Sequence, residues 1–125
     1  MILLFMAAAV SAPDCNNAMT QLDMNVCAGR RFAAADAEMN RQWKVTAAAM
    51  KDRDRNLDRR HDKRSGYFEA LLKAQRAWLA YRDAHCISEG YGARGGSMEP
   101  MLVSGCKAKL TTDRTGQLRE LVETR

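Results

Sequence analysis

No stretch of this sequence alternates apolar and polar residues with a period of two, and no segment repeats another. Strands are therefore not expected. Glycine, proline and β-branched residues are scarce between Met19 and Met50, where alanine, methionine, arginine, glutamate and glutamine abound, which is the composition of a helix. The residues that chemistry needs are missing too, since the chain has no phosphate-binding glycine motif and no nucleophile elbow. His85 adjoins Cys86, but neighbours on a helix point ~100° apart, and a cysteine held in a disulfide is no nucleophile. His85 and Glu89 stand at i,i+4 and offer two metal ligands, half a site, so a surface pair is the plainer reading. The sequence therefore predicts no catalytic residues, no cofactor and no metal, and points to a protein that binds rather than catalyses.

Charge is absent before Asp14. The apolar run Met1 to Ala12 is too short to cross a bilayer as a helix. It reads as a signal peptide over residues 1–12, with Val10 and Ala12 before the cut or with the cut nearer Ala9. A periplasmic or secreted protein is expected, not spanning a membrane, with residues 13–125 forming one domain around one core. Four cysteines, Cys15, Cys27, Cys86 and Cys106, lie in that part. An oxidising compartment pairs them. Zinc would want Cys-x2-4-Cys knuckles, whereas eleven residues separate the first two cysteines and nineteen the last two. The net charge of +5 makes nucleic acid the usual partner to consider. Export argues against nucleic acid and leaves anionic envelope polymers or lipid head groups as the electrostatic candidates, although an excess of five is modest and a plain solvated surface is the simpler reading.

Thr20 to Asp23 resembles a capping box. Leu22, Val26, Gly29, Ala33, Ala37, Asn40, Trp43, Ala47 and Met50 then recur at three- and four-residue steps, a period that marks a helix face. Residues 51–64 hold seven basic and four acidic side chains with Leu57 the only large apolar one. The interleaved aspartates point to a solvated connector, in which Asp52 with Arg55 and Arg59 with Asp62 are spaced to pair; a polyanion-binding patch is the competing reading. After Ser65-Gly66 comes a second face: Phe68, Leu71, Leu72, Gln75, Trp78, Leu79, Arg82 and Cys86. Four glycines in the seven residues 90–96 then end any helix. Ser97 is placed to cap a third helix whose apolar positions are Met101, Leu102, Cys106, Leu110, Leu118 and Leu121, and which Gly116 and Thr111-Thr112 could kink.

These patterns predict an all-α, up-down-up three-helix bundle with helices near 19–55, 66–89 and 98–122. Two joints coincide with cysteines, because Cys15 precedes the first helix and Cys27 lies inside it, while Cys86 and Cys106 flank the glycine-rich loop. Among three possible pairings, Cys15 with Cys27 and Cys86 with Cys106 are chosen on this ground.

The densest block is Ala74-Gln-Arg-Ala-Trp-Leu-Ala-Tyr-Arg-Asp-Ala-His-Cys86. Its plain reading is structural, with Trp78 and Leu79 entering the core and Gln75, Arg82 and Asp83 making polar contacts between helices. The block resembles the signature of the LprI-type lysozyme-inhibitor family, small exported bacterial envelope proteins. Further matches follow in order: Asp14-Cys15, Thr20-Gln21, Met24-Asn25 and Cys27-Ala28, then Ala35-Asp36 with Met39-Asn40. Gly95-Gly96-Ser97 with Pro100 comes next, and Cys106 with Leu110-Thr111, Arg114 and Leu118 completes the series. Departures are Trp43, where the family usually has tyrosine, and the highly charged connector. The resemblance implies a lysozyme-type muramidase as partner. The alternative is an envelope protein using its basic surface on anionic polymers. An inhibitor must present something thin to a cleft shaped for sugar and lined by two carboxylates, so Tyr91, Arg94 and Ser97 of the loop 90–97 are expected to make the contact. The competing reading is that the glycines merely turn the chain.

Overall fold

The computed structural model describes residues 12–124, so the predicted leader, apart from Ala12, lies outside the described residues. Three helices follow one another: α1 (Gln21–Arg55), α2 (Tyr67–Gly90) and α3 (Glu99–Glu123), with a short 3-10 turn at Tyr91–Ala93. Among the described residues there is no strand, and no helix is long and apolar enough to cross a membrane. The architecture is the expected all-α bundle, and each helix end falls within two residues of its predicted position.

α1 is 35 residues long, a rod of ~50 Å. Its start is fixed as the capping pattern predicts, since the Thr20 hydroxyl accepts a hydrogen bond from the Asp23 amide at 3.1 Å. α1 and α3 run parallel and share the longest contact in the molecule. Asn25 reaches Ser97, Thr46 reaches Leu118 and Arg53 reaches Val122 along it. α2 runs the other way and leans on α3 more than on α1. Met39, Ala47, Met50, Leu71 and Leu118 form the core, with Trp43, Phe68, Trp78 and Leu79 packed around it.

Two expectations about faces are corrected. On α1 the first half of the predicted stripe faces outward, with Leu22 71% and Val26 38% exposed and Ala33 and Ala37 in solvent. The buried residues are instead Cys27, Ala28, Met39, Thr46, Ala47 and Met50. Alanines occur all round this part of α1, so the apolar pattern alone did not single out the face that α3 covers. On α3 the predicted kink is absent, for the helix is continuous through Thr111-Thr112 and Gly116. Thr111 and Thr115 are buried, and the Thr115 hydroxyl donates to the Thr111 carbonyl at 3.1 Å, which satisfies it without breaking the helix. Leu121, expected inside, is 40% exposed.

The connector does more than link. Asp52 pairs with Arg55 as expected, but Asp62 pairs with Arg64 at 2.7 Å, and Arg59 instead donates to the Arg64 carbonyl at 2.8 Å. The chain turns here once α1 has ended, which takes Arg59 and Asp62 out of helical spacing. Asp54 reaches across to the start of α2, accepting from the Tyr67 amide at 2.6 Å and the Phe68 amide at 3.2 Å. It thus serves as N-cap for a helix whose own cap position, Gly66, has no side chain. Any Cβ at Gly66 would lie 2.6 Å from the Asp54 carboxylate. Asp54→Ala is expected to cost about 1–2 kcal/mol, measured by urea unfolding, with Asp54→Asn losing less because an amide oxygen still accepts.

Candidate functional site

Both predicted disulfides are present. Cys15–Cys27, with Cα atoms 5.5 Å apart, pins the segment before α1 against that helix. Cys86–Cys106, with Cα atoms 5.4 Å apart, ties α2 to α3 just below the loop that joins them. Cys15 is exposed, whereas Cys86 is fully buried.

The glycine-rich loop is held at both ends. At its start Gly90 is buried, and a Cβ there would stand 2.5 Å from the Val103 methyl, so the close approach of α2 and α3 requires glycine. At its far end the Ser97 carbonyl accepts from the Asn25 amide group at 2.8 Å. Between them Gly95 has φ of 79°, a left-handed conformation that glycine adopts without steric cost. Its N–H donates to the Glu99 carboxylate at 3.0 Å. Tyr91 is half-exposed, and the Arg94 guanidinium lies 4.3 Å over its ring. The structure thus brings Tyr91 and Arg94 together at the surface. Ser97 is exposed, but it does not cap α3, because the helix starts two residues later with Met98 in the cap position and no side-chain cap.

Gln75, Trp78, Arg82 and Asp83 of α2 form a polar seam through the bundle. Arg82 is buried; its guanidinium donates to Asp36 of α1 and to the Thr111 hydroxyl of α3, both at 3.3 Å, and to Asp83 at 3.0 Å. The same cation stands 5.0 Å from the Phe32 ring and 5.3 Å from the Trp78 ring. Two turns back, the buried Gln75 accepts from Arg114 at 2.9 Å and donates to the Met39 sulfur at 3.7 Å. Burial pushes the Arg114 guanidinium pKa down. The sequence assigns no role to Phe32, Asp36 or Arg114 and only a kink to Thr111, and a single pattern cannot bring these residues together. The last three do lie among the positions that resemble the family, which was the available signal.

His85 and Glu89 form the expected pair, at 3.4 Å. Cys106 lies beside them, but its sulfur is bonded to Cys86, so two ligands remain. In the connector, His61 hydrogen-bonds Asp58 and holds its carboxyl below the usual range. Arg64 likewise holds the Asp62 carboxyl down to about 2. With Asp52 paired to Arg55 and Asp54 capping α2, every acid of this segment is engaged. Arg60 and Lys63 show no side-chain partner among the described residues.

The profile of the family described as lysozyme inhibitor LprI matches residues 13–118. The chain belongs to the LprI lysozyme-inhibitor family. An uncharacterized protein of Rhizobium meliloti (strain 1021) is 52% identical over 111 residues, which cover 89% of this chain and 80% of that protein. No solved structure matches the chain. Of the α2 block that carries the resemblance, Gln75, Arg82 and Cys86 are buried in the seam and one disulfide, whereas Arg76, Tyr81 and the loop after the block reach solvent.

Proposed function

We propose that this LprI-family protein acts outside the cytoplasm and inhibits a lysozyme-type muramidase by presenting loop 90–97 to the enzyme's cleft. The observation that carries this reading is the exposed Arg94–Tyr91 pair on a loop fixed at both ends. Among the described residues Arg94 makes no ion pair, so its fork of donors is free to meet a carboxylate. Tyr91 offers an aromatic edge and one ring face where a sugar would lie. The Cys86–Cys106 bridge and the Asn25 contact hold the loop's ends and lower the ordering cost of binding. Host lysozymes are typically strongly basic, so long-range charge does not favour this basic chain and the attraction has to be local. Ser97, exposed at the far end of the same loop, offers a further hydroxyl.

The test is a turbidity assay in which the oxidised protein is added to lysozyme and a cell-wall suspension. The wild type is expected to slow clearing, with Arg94→Ala and Tyr91→Ala each weakening inhibition about tenfold, as buried arginine and tyrosine contacts do. Inhibition by the wild type that both variants retain in full would place the contact elsewhere. A second reading, binding to anionic envelope polymers, is favoured by the cations Arg60 and Lys63 of the connector. Its sign is retention on heparin or lipopolysaccharide that disappears at moderate salt, as screening of surface charge requires.

A further inference from the structure

A groove of about 490 Å³ runs where the segment before α1, α1 itself and α3 meet, lined by neither Tyr91 nor Arg94. Its buried floor is Ala28 with the sulfur-bearing Cys27 and Cys106. Its walls include Met24 and Leu102. Gly105 opens it further, for a Cβ there would meet nothing within 4 Å. Two cations line the groove from different helices, Arg31 of α1 and Lys109 of α3, both exposed and without an ion pair among the described residues. The one acid of the groove, Glu89, faces His85 at 3.4 Å.

We propose that this groove binds a single-chain lipid with an anionic head, the alkyl chain lying along Met24, Ala28 and Leu102 and the head between Arg31 and Lys109. The volume lies within the ~300–1,000 Å³ usual for small-molecule sites. Methionine side chains adapt to a flexible chain better than branched ones. An extended peptide fits poorly, because α1 and α3 have their backbone groups bonded within the helices and would leave the peptide's amides unpaired. An alkyl chain brings no such groups. The two unpaired cations decide the sign of the head.

The experiment is calorimetric titration of the oxidised full chain with octyl, decyl and dodecyl phosphate, each below its micellar concentration. Binding is expected at one ligand per chain, tightening roughly tenfold for every two methylenes added. Arg31→Gln and Lys109→Gln should each weaken it about tenfold. Gly105→Leu, which fills open space and replaces a mid-helix glycine, should leave the thermal unfolding midpoint no lower than the wild type and should abolish binding. Glu89→Gln should tighten it. The proposal is overturned if inorganic phosphate binds as well as the alkyl phosphates, if dodecyl maltoside binds as well as dodecyl phosphate, or if a folded Gly105→Leu variant binds like the wild type. Lysozyme inhibition is read separately, so its loss or retention in these variants does not bear on the groove.

Discussion

Replacing Cys86 and Cys106 together by serine is expected to destabilise the protein by about 3 kcal/mol, the chain-entropy value for a loop of this size. The bridge spans 20 residues of sequence, and Cys86 has no exposed surface, so both the restricted unfolded chain and a packed contact are lost. Urea unfolding of the double variant measures this. The two bridges should also differ in how they open. Cys15 is exposed, and the Arg30 guanidinium lies 3.8 Å from its sulfur, where it stabilises a thiolate once formed. Mild dithiothreitol followed by alkylation and mass spectrometry should therefore label Cys15 and Cys27 first. Equal labelling of all four cysteines at early times would show that burial does not protect the second bridge.

Arg82→Met should be nearly as damaging, at about 2–3 kcal/mol. A fully buried pair broken on one side costs more than that, but only the arginine is enclosed here. Its side chain is 9% exposed, against 37% for Asp36 and 53% for Asp83, so water screens both acids and takes up part of the loss. What is left without a partner is the Thr111 hydroxyl and the facing rings of Phe32 and Trp78. Arg82→Lys keeps the charge but cannot reach three acceptors on three helices at once, and should recover only part of the loss. A fall in Tm of about 10 °C for Arg82→Met is the expected reading by circular dichroism. Arg94→Ala, on the exposed loop, should stay within about 0.5 kcal/mol of the wild type. If Arg94→Ala instead unfolds the protein, its effect on inhibition says nothing about contact.

The sequence made the helices and the bridges legible because each rests on local signals. Thr20 caps, the glycines after Glu89 stop α2, and the cysteines stand at the joints. The candidate loop was legible for the same reason. What could not be read was which face the first half of α1 turns inward, whereas the face predicted for α2 is the one that is buried. Thr46 and Thr111 looked polar and are fully buried, because the Thr46 hydroxyl donates to the Leu118 carbonyl and the Thr111 hydroxyl accepts from Arg82. Leu22 looked apolar and is exposed, because the start of α1 presents another face to α3. Asp54 looked like one more solvated charge, and its partner amides lie thirteen and fourteen residues further on. The groove cations Arg31 and Lys109 left no trace in the pattern, since only the parallel packing of α1 and α3 brings them to one place.

That parallel packing has a consequence for the order in which the chain is made. A polypeptide emerging from its N-terminus has α1 and α2 complete before any of α3 exists, yet these two share the slimmest contact of the bundle. Thr46 must wait for Leu118, seventy-two residues behind it, and Met39 and Met50, even once they meet Leu71, are closed over only when Leu118 arrives. The fold therefore closes only when almost the whole chain is present. A nascent chain of this protein thus carries the face that α3 will cover open for nearly the full duration of synthesis, a condition in which chaperones and translocation machinery can still hold a polypeptide unfolded.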